Sequence, residues 1–253
     1  RISARRSTEA RPAGRLLQPG LYAPAEQAIR GGDRGFRQIH LPGKQGSRRY
    51  IGRGTAYLYL KDTVRALENF DQAIRTNREN PNGYYQRGTL LLQKEEYARA
   101  EADFDMSIRC DSTFLPPYFN RAVVYSNTNR PMQALADFDR VLQLDSTNSF
   151  TYFNRAILRT QIGDYNRALD DFDRVALYSP GNVQVYYLRA MLKTRLGDLE
   201  GAERDYTRAI ELYPDFANAY LNRSALRYAL HNPKAAKRTK RSPSARSPNT
   251  NPT

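Results

Sequence analysis

The stretch YFNRAILRTQIGDYNRALDDFDRVALYSPGNVQV, residues 152–185, decides the fold, because its pattern recurs in register along most of the chain. Tyr152 is one of six tyrosines spaced 34 residues apart: Tyr50, Tyr84, Tyr118, Tyr152, Tyr186 and Tyr220. An arginine follows three residues behind each: Arg53, Arg87, Arg121, Arg155, Arg189 and Arg223. Four after the tyrosine stands a small residue, Gly54, Gly88, Ala122, Ala156, Ala190 or Ser224. Sixteen after it comes an alanine (Ala66, Ala100, Ala134, Ala168, Ala202), and twenty after it an aromatic (Phe70, Phe104, Phe138, Phe172, Tyr206). Five periods run without an insertion or deletion, which chance does not sustain.

Residues spaced by three and four share one face of a helix, so each period holds two amphipathic helical patterns. Gly163-Asp164 and Gly197-Asp198 fall between the two patterns, where a glycine closes a helix in the left-handed conformation. Pro180 and Pro214 close the second helix of their periods. A hairpin of two helices of about a dozen residues cannot bury its apolar face alone and must stack on its neighbours. The pattern therefore predicts an all-α fold, a solenoid of stacked helical hairpins.

The spacing and residue types resemble the tetratricopeptide repeat over about residues 47–230. Asn154-Arg155-Ala156 and Asp171-Phe172-Asp173 look like a bacterial form of that repeat. The resemblance implies a right-handed superhelix whose first helices line a concave surface. It also implies a non-catalytic scaffold that holds an extended peptide or a partner helix on that surface.

Charge separates the repeats from their flanks. Residues 1–49 carry 11 Lys/Arg against 3 Asp/Glu, residues 233–253 carry 6 against none, and residues 50–232 carry 23 of each. The repeat domain is thus neutral, and the chain's net charge of +14 belongs to its ends. The flanks are rich in Arg, Ser, Pro and Gly, a composition that buries too little apolar surface to offset the entropy of ordering. Three segments are expected: a disordered basic stretch over 1–46, a repeat domain over 47–232, and a disordered basic tail over 233–253. The domain would comprise five hairpins and the first helix of a sixth. That sixth period keeps Tyr220, Arg223 and Ala236, but has Lys240 at the aromatic position and Pro243 soon after. Its first helix would cap the stack, with Tyr220, Leu221, Leu226 and Tyr228 available for self-association. The chain starts at Arg1 rather than Met, so a fragment with non-native ends is expected, which mass spectrometry of the protein from its source would test.

Catalysis finds no candidates. His40 and His231 have no ligand partners at metal spacing, there is no Gly-rich phosphate loop, and no nucleophile elbow is present. No cofactor is expected. No apolar run is long enough for a membrane-spanning helix. Cys110 stands alone, without an internal disulfide partner, which favours a reducing, cytoplasmic setting. Asp103/Asp105, Asp137/Asp139 and Asp171/Asp173 repeat with the same period as the arginines, so ion pairing within or between hairpins is expected of them rather than acid–base chemistry.

On the first helix, the tyrosine, arginine and small residue lie at about 0°, 300° and 40°, facing the packing. Residues one, two and nine after the tyrosine lie near 100°, 200° and 180° and point another way. These positions carry aromatics (Tyr85, Phe119, Phe153, Tyr187) and two rows of amides, Gln86, Asn120, Asn154 and Asn222, then Gln93, Asn127 and Gln161. An amide offers a donor and an acceptor to an extended peptide backbone, and aromatics hold apolar side chains. These eleven residues form the expected peptide site. The asparagine row is similar to the asparagine ladder of the O-GlcNAc transferase superhelix, with Gln86 a departure. The dicarboxylate clamp of chaperone-binding tetratricopeptide domains needs Lys and Arg. Here the wall offers Tyr85, Thr89, Phe119 and Val123, so no preference for acidic chaperone C-termini is expected. Two other readings are a targeting domain of a larger enzyme or regulator, and weak nucleic-acid association through the basic flanks. The neutral core disfavours the second.

Overall fold

The computed structural model describes residues 43–231. The disorder expected of the flanks falls on residues outside that range, except for residues 43–46, which belong to the first helix. Among the described residues there are eleven α-helices and no strand: α1 Gly43–Tyr59, α2 Thr63–Thr76, α3 Pro81–Gln93, α4 Tyr97–Cys110, α5 Leu115–Asn127, α6 Pro131–Leu144, α7 Ser149–Gln161, α8 Tyr165–Tyr178, α9 Val183–Leu196, α10 Leu199–Leu212 and α11 Ala217–His231. They fall into two compact bodies divided after Ile162. In the first, α1/α2, α3/α4 and α5/α6 are hairpins, each second helix packs on the next first helix, and α1, α3 and α5 lie side by side in sequence. In the second, α9/α10 is a hairpin flanked by α8 on one side and α11 on the other.

Local chemistry sets the helix starts. Asp62, Asn80, Asn148, Asn182 and Asp198 stand at N-cap positions and accept backbone N–H bonds from the first turn, satisfying donors that have no intrahelical partner. Pro81 enters α3 at its first turn, where its missing N–H costs nothing.

The turn inside each hairpin follows one rule that glycine alone does not reveal. The residue eleven after each tyrosine has positive φ: Lys61 (60°), Glu95 (61°), Asn129 (57°), Gly163 (85°) and Gly197 (91°). Only two of the five are glycine. A left-handed conformation strains an L-residue with a Cβ, and Lys61 and Glu95 adopt it because the flanking helices are fixed by the stack.

The repeated aromatics form the core. Phe70, Phe104 and Phe138 are completely buried, and Phe172 and Tyr206 nearly so. Each such side chain contributes roughly 1.5–3 kcal/mol relative to leaving it exposed. The small residue on the facing first helix makes the room: a Cβ on Gly88 would lie 2.9 Å from the Phe104 ring. The tyrosines tie first helices to the preceding loop, the hydroxyls of Tyr118 and Tyr186 donating to the carbonyls of Ser112 and Pro180 at 3.2 Å each. At α11 the pattern opens. Leu226, expected to be available, is buried, whereas Tyr220, Leu221 and Tyr228 are exposed.

Glu95→Gly is expected to raise stability by about 0.5–1 kcal/mol by relieving the left-handed strain, after allowing for the greater freedom of glycine in the unfolded chain. Gly197→Ala should lower it by a similar amount. Urea denaturation of the two variants reads both shifts.

Candidate functional site

The arginine of each repeat is a fixed clamp. Arg87 bonds both oxygens of Asp103 on its own second helix, at 2.8 and 2.6 Å, and its remaining nitrogen reaches Asp71 of the preceding hairpin at 2.6 Å. Arg121 repeats this with Asp137 (2.8 and 2.7 Å) and Asp105 (2.6 Å). Arg189 does so with Asp205 (2.8 and 2.5 Å) and Asp173 (2.8 Å). Arg155 donates to Asp139, and Arg53 finds the amide oxygen of Asn69 in place of a carboxylate. Several guanidinium groups also lie over the tyrosine three residues back, as Arg121 does over Tyr118 at 5.7 Å and Arg189 over Tyr186 at 5.4 Å. The acids are committed to this framework. Burial pushes the Asp103 and Asp137 carboxyls up, and the guanidinium bonds offset that only in part. The bond to Asp103 in turn raises the Arg87 guanidinium above its ordinary value. Among the described residues no group of three or more His, Cys, Asp or Glu is placed to hold a metal ion.

The aromatic row expected at the peptide site is core. Tyr85, Phe119 and Phe153 are 3–4% exposed. Tyr85 packs edge-on against Phe114 (ring centroids 5.4 Å), and Phe119 sits between Phe138 (5.5 Å) and Phe150 (5.1 Å). Tyr187 is half-buried between Tyr206 and Phe216. Tyr85, Phe119 and Tyr187 each meet a ring of their own second helix and a ring at the start of the next hairpin, so these contacts occupy the faces expected to meet a ligand.

The first amide row is also corrected. Asn120 is 2% and Asn154 0% exposed. The Asn120 amide donates to the Thr89 hydroxyl of the preceding first helix (3.0 Å), and the Asn154 amide to the carbonyl of Phe150 (2.8 Å). Asn222, half-buried, donates to the Tyr187 hydroxyl at 3.2 Å. The Asn120 and Asn222 bonds join neighbouring first helices, and the Asn154 bond lies within α7. Gln86 is half-buried. The second row remains: Gln93, Asn127 and Gln161 are all exposed, at the last residues of α3, α5 and α7. These three, all in the first body, are the accessible part of the expected site.

Three segments match family models for the tetratricopeptide repeat: residues 51–113, 115–148 and 183–216. The chain belongs to the tetratricopeptide repeat family. Its repeats form the all-helical stacked fold of that family, and as such it is a protein-interaction scaffold. No curated protein is significantly similar to it in sequence. Among solved structures it is similar to YrrB, described as a tetratricopeptide repeat protein with an unusual peptide-binding site, at 20% identity and a TM-score of 0.60, over 80% of this chain and 98% of that one. It is also similar to MamA from Desulfovibrio magneticus (16%, TM-score 0.63, 70% and 99%). A third is TTC0263 of Thermus thermophilus (15%, TM-score 0.52, 71% and 98%). At these identities the likeness is one of fold. Among the described residues no helix is long and apolar enough to cross a membrane.

The buried amides change an expected outcome. From sequence, Asn120→Ala with Asn154→Ala should spare stability and weaken partner binding. From the structure the pair should instead lower stability, by about 0.5–1.5 kcal/mol for each hydrogen bond lost. Thermal denaturation decides: an unshifted melting temperature would return these residues to the binding surface.

Proposed function

We propose that this chain is a non-catalytic interaction module whose tetratricopeptide repeats hold an extended peptide along the ends of successive first helices. The observation that carries this is the exposed amide at one register position of three consecutive repeats, Gln93, Asn127 and Gln161. A solvated face of no further use would more often carry Lys and Glu. Three uncharged donor–acceptor groups at a constant interval suit the alternating N–H and C=O of a strand-like backbone. The peptide-binding description of YrrB agrees with this reading, and so does the family, whose members are generally non-catalytic.

The ligand expected here is uncharged or mixed in charge along its backbone contacts, since the repeat domain is neutral and Arg87, Arg121 and Arg189 are spent on its own aspartates. Peptides selected by display against the full chain would supply the probe. Gln93→Ala combined with Asn127→Ala should weaken the selected peptides tenfold or more, at an unchanged melting temperature. Equal affinity for both proteins would place the ligand elsewhere.

A further inference from the structure

The helix α11 presents a face that α5 and α9 have covered by their own second helices. In α5 that face comprises Tyr118, Arg121, Ala122 and Tyr125, buried or half-buried, and α6 covers it with Ala134, Asp137 and Phe138. The corresponding face of α11 comprises Tyr220 (43% exposed), Arg223, Ser224 (exposed) and Arg227 (exposed). Leu221, at the position where Phe119 meets Phe138, is 67% exposed. Tyr228 beside it is 64% exposed.

Arg223 defines the chemistry of this berth. Its counterparts Arg87, Arg121 and Arg189 each take a bidentate carboxylate from their own second helix and a further carboxylate from the preceding one. Arg223 has neither among the described residues. The preceding helix, α10, offers Thr207 where the earlier repeats have aspartate, and the Arg223 guanidinium donates to its hydroxyl at 3.2 Å. The guanidinium also lies over Tyr220 at 5.5 Å, as Arg189 lies over Tyr186 at 5.4 Å, so the fork is already oriented as in the filled repeats. Arg227 of the same face bonds Glu203 of α10 at 2.5 Å, and a groove along α10 begins there, bordered by Glu200, Thr207 and Glu211.

The residues that fill such a berth are known from five copies within this sequence. They read Ala66-x-x-Asn69-Phe70, Ala100-x-x-Asp103-Phe104, Ala134-x-x-Asp137-Phe138, Ala168-x-x-Asp171-Phe172 and Ala202-x-x-Asp205-Tyr206. At the same register the chain continues with Ala236, Thr239 and Lys240, which lack both the acid and the aromatic. A threonine and a lysine at these two positions supply neither a carboxylate for a guanidinium nor a ring for the core.

We propose that the exposed face of α11 is a docking site for one helix of a partner protein carrying the pattern Ala-x-x-Asp-aromatic. Its aspartate forks onto Arg223 and its ring rests on Ser224 and Leu221. The partner helix completes the sixth hairpin in trans. A bidentate carboxylate–guanidinium contact fixes both register and direction of the incoming helix, and the ring supplies the buried area.

The probe is the α6 sequence itself, a Pro131–Leu144 peptide held helical by a lactam between substituted side chains at positions 132 and 136, both exposed in α6. Fluorescence anisotropy with the full chain should show saturable binding of one peptide per chain. Arg223→Ala should weaken it tenfold or more while leaving the melting temperature in place, because this arginine holds no carboxylate in the free protein. The Asp137→Asn and Phe138→Lys peptides should lose as much. Arg223→Glu paired with an Asp137→Lys peptide should recover part of the loss, which a merely destabilised variant would not. Absence of saturable binding to the full chain overturns the proposal, as does binding that Arg223→Ala leaves unchanged. Self-association of the free chain in sedimentation velocity, dispersed by Arg223→Ala, would give the face to a second copy and overturn the assignment to a partner.

Discussion

The structure depends on one interaction: a guanidinium that clamps the aspartate of its own hairpin with two bonds and reaches the aspartate of the preceding hairpin with a third. Arg121 holds Asp137 and Asp105 in this way, and Arg87 and Arg189 hold equivalent pairs. The two carboxylates differ in setting. The side chains of Asp103, Asp137 and Asp205 are 6–8% exposed, whereas those of Asp71, Asp105 and Asp173 are 36–61% exposed. The first bond closes a hairpin under cover, and the second staples hairpins at the surface. Phenylalanine burial supplies most of the free energy, but apolar contact is nondirectional, and the clamp is what restricts each hairpin to one register against the last.

From this follows a division of labour around the first helix. Its tyrosine, arginine and small residue meet the second helix, the aromatic one after the tyrosine sits between that helix and the next hairpin, and Asn120, two after it, meets Thr89 of the preceding first helix. Towards the end of the helix, the residue nine after the tyrosine emerges into solvent at Gln93, Asn127 and Gln161. A binding surface on such a scaffold is narrow, because stacking consumes most of the circumference. The same economy makes one face conspicuous: Arg223 carries the clamp geometry with no carboxylate among the described residues, and such a face has a defined complement.

Much of this was legible in the sequence, and the reason is phase. Five periods of equal length put the same residue in the same environment, so Phe104 and Phe138 as core, and ion pairing of the arginine row with the aspartates, follow from spacing, while which aspartate takes two bonds and which takes one does not. Two other features did not follow. A helical wheel assigns Asn120 and Asn154 to a side away from the second helix, which is correct, but a helix in a stack has two covered sides, and the wheel reports angle without reporting neighbours. The left-handed turn residues were visible only as Gly163 and Gly197. At Lys61, Glu95 and Asn129 the conformation is imposed by the helices on either side and leaves no compositional mark. The open face of α11 was half visible: Lys240 announced a missing ring, but the vacant carboxylate position at Arg223 needed the geometry of the filled clamps.

The most direct test of the clamp as the coupling between hairpins is a double-mutant cycle on Arg121 and Asp105, which belong to adjacent hairpins and meet at 2.6 Å. Arg121 is already held by Asp137, so little side-chain freedom is lost in meeting Asp105, and the pair should exceed an ordinary surface ion pair. Unfolding free energies of Arg121→Gln, Asp105→Asn and the double variant should give a coupling of about 1 kcal/mol. Changes that add to within about 0.3 kcal/mol would show that the Arg121–Asp105 bond does not couple the hairpins and would contradict the account.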